Sequence, residues 1–290
     1  MYRIRVFSGF GPDDICKEVF ERLGEAQICE FYGIDKKIYF TNGDDYTHVL
    51  LLNTPTPEIP EHIPKENVVG LAYEPYIKGK GWPYLELTPE FIEYAQKNIG
   101  KYYVGEKYDL PDPFIESYSY MWHITPLKEV PVKNTTMSIM ISNKYDITGH
   151  KYRHRLAERI LNDKIDVDIY GNGCELYELP NHKSMKGRFD SIEPYEHYDF
   201  HIAIENSETP HYFSEKIINT LLCGTTPVYW GCKNIDEYFP DNVIRLTGVI
   251  DEDIKTIKKI LANPEKYKKN IDINKIKKRV SFIENVDSIF

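Results

Sequence analysis

The segment that decides the fold is FHIAIENSETPHYFSEKIINTLLCGTTPVYWG, residues 200–231. It opens with the apolar run Phe200–Ile204, whose length and β-branched content predict a buried strand. Ser214 stands where a helix N-cap belongs, and the amphipathic pattern after it predicts a helix to about Leu222. A new apolar run from Thr226 predicts the next strand. The segment therefore indicates a β-α-β unit, the repeating piece of a parallel α/β sheet.

An anionic ligand is expected where this strand ends and this helix begins. Backbone N–H groups at a helix N-terminus attract negative charge, and Lys216 lies in the first turn of the helix. The alternative is an ordinary β-α-β unit in which Glu215 and Lys216 are solvated. The periodic pattern alone does not decide between these two interpretations.

Three short motifs in the segment resemble the donor-binding signature of the α1,3-fucosyltransferases of glycosyltransferase family 10. They are Glu205-Asn206-Ser207, Tyr212-Phe213-Ser214-Glu215-Lys216 and Pro227-Val228-Tyr229-Trp230-Gly231. The family carries such motifs in this order and at nearly this spacing, and three linked motifs are far more specific than a single glycine motif. The resemblance covers residues 137–240, and it extends to the first 130 residues only by analogy.

The resemblance implies an α/β fold of two Rossmann-like domains that face each other across a cleft, the GT-B arrangement. A chain of 290 residues is long enough for two domains of this kind. We expect an acceptor-side domain over residues 1–130 and a donor-binding domain over residues 131–265. Residues 266–290 are expected to form a C-terminal helix that packs back toward the first domain.

Apolar runs and helix signals give the expected elements in chain order. Strands are predicted over residues 3–8, 27–32, 37–40, 46–52, 68–72, 101–104, 137–142, 167–170, 200–204, 226–229 and 243–246. Helices are predicted over residues 14–23, 89–98, 149–161, 214–222, 235–239 and 251–261, with one further Lys-rich helix from residue 264 onward. Residues 105–136 show little periodicity, so they are predicted to be the interdomain connection and acceptor-side loops.

Glu74 is the candidate catalytic base. It lies in Tyr73-Glu74-Pro75, directly after the predicted strand 68–72, and ligands of open α/β sheets bind beyond the carboxyl ends of strands. The resemblance implies that a Glu at the end of such a strand, beside an aromatic residue and a proline, deprotonates the acceptor hydroxyl. The family segment is longer than Tyr-Glu-Pro, and a solvated carboxylate is the competing interpretation. Weaker candidates for the base are Glu86, Glu90 and Glu106.

The resemblance also implies which residues bind the donor. An Arg just inside the helix after strand 137–142 is expected to contact the donor diphosphate, because a planar guanidinium suits phosphate oxygens. Arg153 fits this position best, and Arg155, on another helix face, is second. The expected donor-binding residues are Arg153, Asn206, Tyr212, Ser214, Glu215 and Lys216. In this scheme Asn206 and Tyr212 shape the nucleoside and fucose pockets, and Glu215 accepts hydrogen bonds from ribose or sugar hydroxyls.

The implied reaction needs neither a metal ion nor a cofactor. A diphosphate is already a good leaving group, so cations and a helix N-terminus can replace the general acid that a glycosidase requires. One base that assists attack opposite the leaving group predicts inversion. Asp166-Val167-Asp168 mimics a D-x-D metal motif, but it lies inside a predicted strand, and we expect no metal site there. The substrates implied are GDP-fucose and a hydroxyl of a glycan acceptor.

Composition excludes several other classes of protein. The net charge of −9 and pI near 5.6 argue against nucleic-acid binding. Five scattered cysteines without metal-ligand spacing indicate reduced thiols. The chain opens without a signal peptide or a long apolar run, so we expect a soluble cytoplasmic protein without a membrane anchor.

Other functions remain open at this point. The motifs address diphosphate and ribose better than the transferred sugar, so the same fold could use another nucleotide-sugar. A non-catalytic protein that binds a nucleotide-sugar or a glycan is a second alternative. A Rossmann oxidoreductase is disfavoured, because no G-x-G-x-x-G sequence is followed by an acidic residue about twenty positions later.

Overall fold

The structure is a computed structural model that describes residues 1–23, 38–125, 127–177 and 182–290. By its internal contacts the chain divides into two compact units. The first unit comprises Met1–Pro126, Thr209–Tyr212 and Val280–Phe290, and the second comprises Leu127–Glu208 and Phe213–Arg279. The strand expected over residues 27–32 lies outside the described residues. The domain limits at residues 130 and 265 stay a prediction.

The first unit is built on one parallel sheet. Its strands are β1 (Tyr2–Ser8), β2 (Ile38–Thr41), β3 (His48–Leu52), β4 (Val68–Leu71), β5 (Lys101–Val104) and β6 (Phe114–Glu116), and its first helices are α1 (Asp13–Leu23) and α2 (Pro89–Asn98). The strands lie side by side in the order β2-β1-β3-β4-β5-β6, and every neighbouring pair is parallel. β4 is buried along its whole length, as expected of a strand inside a parallel sheet.

Strand β6 corrects the expectation that residues 105–136 form only loops. Its three residues, Phe114–Glu116, pair with β5, but only Phe114 is buried. A strand this short at the edge of a sheet has no apolar alternation, so its pairing is decided by contacts distant in sequence.

The second unit is also built on a parallel sheet of six strands. They are β7 (Thr135–Met140), β8 (Asp168–Tyr170), β9 (Met185–Gly187), β10 (Tyr198–Ile204), β11 (Thr226–Trp230) and β12 (Ile244–Arg245). The helices are α3 (Thr148–Asn162), α4 (Glu193–Glu196), α5 (Glu215–Leu222), α6 (Ile235–Tyr238), α7 (Ile250–Ala262), α8 (Pro264–Tyr267) and α9 (Ile273–Val280). The sheet order β12-β11-β10-β7-β8-β9 is the strand order of a Rossmann fold. The predicted α/β fold with two Rossmann-like parallel sheets is confirmed.

The chain after residue 264 differs from the single Lys-rich helix that we expected. It forms α8, α9 and a last helix, α10 (Phe282–Ile289). Asp272 accepts a hydrogen bond from the Lys275 N–H, and Ser281 accepts one from the Glu284 N–H, so each side chain starts a new helix. α10 belongs to the first unit, where the ring of Phe282 packs edge-on against Phe20. Within the described ranges, no helix is both long enough and apolar enough to cross a membrane.

Candidate functional site

The carboxyl edge of the second sheet contains the point where the strand order reverses. The chain proceeds outward from β7 to β8 and β9, then returns to place β10 on the other side of β7. The loops after β7 and β10 therefore leave the sheet in opposite directions and lead into α3 and α5. A crevice at such a reversal is where open α/β sheets bind ligands.

Glu205 is a buried residue at this edge that binds the N-cap residue of α5. Its side chain is completely buried, and its two carboxylate oxygens accept hydrogen bonds from Ser214, at 2.9 Å from the backbone N–H and 2.6 Å from Oγ. Ser214 in turn caps α5. Burial raises the pKa of Glu205, and the ammonium of Lys216, 3.9 Å away, opposes that rise. The first residue of the Glu-Asn-Ser motif thus fixes the start of α5.

Two glycines leave the space that Glu205 needs. A Cβ atom at Gly231 would lie 2.4 Å from Cγ of Glu205, and one at Gly149 would lie 1.9 Å from its backbone oxygen. The Gly149 N–H also donates to the backbone oxygen of Asn206. Sequence reasoning did not assign Glu205, Gly149 or Gly231 to the site. The signal was available, because Glu205 and Gly231 lie in the quoted motifs.

The structure brings Arg153 and Asn206 together. Arg153 is buried in the second turn of α3, and its Nη2 donates to Oδ1 of Asn206 at 2.6 Å. The amide of Asn206 therefore orients the guanidinium. Arg155, the second choice, is exposed. Residues predicted from two separate motifs thus form one contact at the reversal of the sheet.

Lys216 and Glu215 form an ion pair beside the cap of α5. Nζ of Lys216 lies 2.9 Å from Oε1 of Glu215 and 3.0 Å from Oγ of Ser214. Burial alone would raise the pKa of Glu215, but Lys216 and local hydrogen bonds hold it below its usual range. The Glu215 carboxylate is therefore charged at neutral pH, and it keeps the Lys216 ammonium at the helix start.

Tyr212 belongs to a different unit from the other predicted donor residues. The segment Thr209–Tyr212 is grouped with the first unit, and Tyr212 is buried there. It packs so closely on Gly105 that a Cβ atom at that glycine would lie 3.4 Å from Cβ of Tyr212.

Glu74 follows β4 in the first unit, and the side chain of Asn53 holds its backbone. The N–H groups of Tyr73 and Glu74 donate to Oδ1 of Asn53, at 2.8 and 3.3 Å. Asn53 is buried and has a φ of 61°, a conformation that Asn tolerates better than most residues. Its position after β3, between an apolar run and a Pro-rich loop, was the available signal, and sequence reasoning missed it.

A cavity of about 550 Å³ opens on the first unit. Its lining combines hydroxyl groups, carboxylates and aromatic rings, from Thr54, Thr56, Glu86, Thr88, Glu90, Phe91 and Tyr94. Glu86 and Glu90, two of the weaker candidates for the base, therefore share one cavity, and Glu106 does not line it. Carboxylates and hydroxyls can hydrogen-bond a neutral polyol, and aromatic rings can contact its apolar faces.

The two aspartates of Asp166-Val167-Asp168 contact protein side chains. Asp168 accepts a hydrogen bond from the Tyr198 hydroxyl at 2.8 Å, and Asp166 pairs with Lys183 at 3.1 Å. Within the ranges that the structure describes, no group of three or more His, Cys, Asp or Glu side chains is arranged to hold a metal ion. The four described cysteines are free thiols.

Comparisons with known proteins agree with this geometry. The family model for the C-terminal part of glycosyltransferase family 10 (fucosyltransferase) matches residues 130–275, about half of the chain. A fucosyltransferase-like protein of Arabidopsis thaliana is 30% identical over 127 residues, which cover 42% of this chain and 23% of that protein. GDP-fucose protein O-fucosyltransferase 3 of Danio rerio is 32% identical over 131 residues, which cover 44% of this chain and 28% of that protein. The chain thus matches only about a quarter of the length of these relatives.

Solved structures show the same fold over nearly the whole chain. An α1,3-fucosyltransferase superposes with a TM-score of 0.52 at 14% identity, covering 96% of this chain and 82% of the other. The Anabaena protein HepE in complex with UDP-glucose superposes with a TM-score of 0.56 at 11% identity, covering 99% and 98%. The family model, the aligned relatives and the motifs at the sheet reversal lead to one conclusion: the chain belongs to glycosyltransferase family 10, the fucosyltransferase family.

Proposed function

We propose that the protein transfers fucose from GDP-fucose to a hydroxyl group of a glycan acceptor, with inversion at the anomeric carbon. The observation that carries the proposal is the cluster of Arg153, Asn206, Ser214 and Lys216 at the reversal of a Rossmann sheet, in a chain of the fucosyltransferase family. The Danio rerio relative is a GDP-fucose protein O-fucosyltransferase, which supports the same donor here.

On the donor side, the diphosphate lies against Arg153, Lys216 and the first turn of α5. The diphosphate of a nucleotide-sugar carries two negative charges. Arg153 and Lys216 offset them in part, since Lys216 also pairs with Glu215. Charge-assisted hydrogen bonds from guanidinium and ammonium groups stabilise the phosphate oxygens as negative charge grows on the leaving group. Backbone N–H groups at the start of α5 add to this stabilisation, so we expect transfer to continue in the presence of a chelator. Glu215 accepts hydrogen bonds from hydroxyls, since facing the phosphates directly would be repulsive.

On the acceptor side, Glu74 acts as the general base. The acceptor hydroxyl gives its proton to the Glu74 carboxylate as its oxygen bonds to C1 of fucose. The bond from C1 to the phosphate oxygen breaks in the same step, and GDP leaves with the electron pair. A single displacement of this kind inverts the configuration. The cavity lined by Glu86 and Glu90 receives the sugar rings of the acceptor.

Calorimetric titration and product analysis test the proposal. Titrations with GDP-fucose, GDP-mannose and UDP-glucose should give the tightest binding for GDP-fucose, and the product should have the inverted anomeric configuration. Preference for UDP-glucose would favour another nucleotide-sugar. Tight GDP-fucose binding without turnover on any glycan would instead favour a binding protein. Retention of configuration would exclude the single displacement.

A further inference from the structure

A buried histidine of the second unit has no use in the mechanism above. His150 lies in the first turn of α3, one residue after Gly149 and one helical turn before Arg153. Its side chain is only about 5% exposed, and its Nδ1 atom is buried without a hydrogen-bond partner among the residues that the structure describes. Burying a polar atom without a partner is unfavourable, so an atom of this kind needs an explanation.

Two of the charged groups that act on the ring, Arg153 and Lys216, belong to the proposed donor site. Burial comes first, and with it the positive charges of Arg153, Lys144 and Lys216 lower the pKa of His150 to about 4, while Asp146 acts in the opposite direction. The Asp146 carboxylate lies 3.9 Å from Nδ1, too far for a hydrogen bond. The ring is therefore neutral at pH 7 in the free protein, although it has a carboxylate beside it.

A bound anion would change the charge around the ring. Arg153, Lys144 and Lys216 add to burial in keeping the ring neutral, and a diphosphate bound at Arg153 and Lys216 would offset this positive charge. Once they are offset, burial alone opposes protonation, and both the diphosphate and Asp146 favour the imidazolium. The N–H at Nδ1 of the imidazolium can then donate a hydrogen bond to the Asp146 carboxylate after a small movement.

We propose that His150 is the proton-linked positioning residue of the donor site: it gains a proton when the nucleotide-sugar diphosphate binds and gives it up when the nucleotide leaves. This inference rests on the proposed donor site. Linkage sets the direction of the pH dependence. Because the bound state holds more protons than the free state, donor affinity rises as pH falls, by at most tenfold per pH unit for one proton.

Calorimetric titration with GDP-fucose tests this in the wild-type protein. GDP-fucose is the suitable probe because neither of its phosphates takes up a proton near neutral pH, whereas the terminal phosphate of GDP does. Titrations between pH 6 and 8, in buffers of different ionisation enthalpy, give the number of protons taken up. We expect up to one proton and several-fold tighter binding at pH 6 than at pH 8.

The variant His150→Gln isolates the group, since glutamine keeps polar atoms but cannot gain a proton. Proton uptake should vanish in His150→Gln and persist in His197→Gln, a control at an exposed histidine of the same unit. Uptake that persists in His150→Gln, or wild-type binding without any uptake, would overturn the inference. If His150→Gln does not fold, His150→Asn is the second variant, and proton uptake should vanish in it too. A wild-type protein that does not bind GDP-fucose at all would overturn the proposed function instead.

Discussion

At the residue scale, the proposed donor site depends on charged side chains that other residues of the protein already hold in place. Lys216 is hydrogen-bonded to Glu215 and Ser214, and Arg153 to Asn206. These contacts hold both cationic side chains in one position. Pre-positioned donors cost no reorganisation when charge develops on a leaving group. The contribution of each side chain to binding or transfer can be measured by single substitutions.

Replacing Lys216 with Ala should weaken GDP binding by roughly 10–100-fold, since a hydrogen bond to a charged group contributes about 1.5–3 kcal/mol. The fold should survive, because Glu205 keeps both hydrogen bonds from Ser214. Calorimetry with GDP measures the affinity, and circular dichroism measures the fold. Lys183→Ala is the matched control, since Lys183 is an exposed lysine of the same unit. GDP affinity equal to that of the wild type would remove Lys216 from the site.

Replacing Glu74 with Gln should lower the rate of transfer by roughly 10²–10⁴-fold, the usual contribution of a general base. The substitution leaves the backbone bond from Glu74 to Asn53 in place, so the affinity for GDP-fucose should change by less than about twofold. Glu106→Gln, at another carboxylate of the same unit, is the control and should retain its turnover. A Glu74→Gln protein with undiminished turnover would show that another group is the base.

At the element scale, the unit β10-α5-β11 was predictable within one or two residues at each end. Its strand is a continuous apolar run, its helix starts at a capping serine, and Gly224 has the positive φ of a helix end. Local chemistry settles each of these features. Strands β6 and β9 were not predictable, because each has three residues and their pairing partners are distant in sequence.

The contacts that hold the site together were also beyond sequence reasoning. Asn206 was expected at the nucleoside, and the structure places its amide on Arg153. Tyr212 was expected with the donor residues, and its contacts group it with the first unit. Sequence motifs identify which residues matter, but side-chain pairing depends on how distant segments pack.

Replacing Gly231 with Ala should destabilise the second unit, because the new methyl group would collide with Glu205. Overpacking of this kind costs about 1–3 kcal/mol, which corresponds to a fall in Tm of about 4–8 °C for a mid-range value. Gly187→Ala is the matched control, since Gly187 also has a positive φ but no atom of the described residues lies within 4 Å of the added Cβ. Thermal unfolding measures both. Equal losses in the two variants would show that backbone strain, not Glu205, requires the glycine.

At the scale of the whole molecule, the protein is acidic overall but concentrates cations at one edge of one sheet. The net charge is −9, yet Lys144, Arg153 and Lys216 all act on His150. The family model matches residues 130–275, so most of the sequence that the family shares lies in the second unit. The first unit carries the cavity and Glu74, and its sequence predicted a buried sheet without indicating what the cavity binds.

If each unit binds one substrate, a substitution in the first unit should change the KM for the acceptor and one in the second unit the KM for GDP-fucose. Replacing Glu86 with Gln in the cavity should raise the KM for the glycan acceptor by about 10-fold, since one hydrogen bond from a sugar hydroxyl to a charged group is weakened. The KM for GDP-fucose and the slow hydrolysis of GDP-fucose by water should not change, because neither depends on the cavity. Lys216→Ala should show the opposite pattern.

Initial rates measured with each substrate varied in turn, together with hydrolysis measured without acceptor, distinguish the two patterns. Glu58→Gln, at an exposed carboxylate of the same unit outside the cavity, is the matched control. If Glu86→Gln changed only the GDP-fucose parameters, the cavity would belong to the donor and not to the acceptor. If both variants changed both sets of parameters equally, the two units would not bind their substrates independently, and the assignment of one substrate to each unit would be wrong.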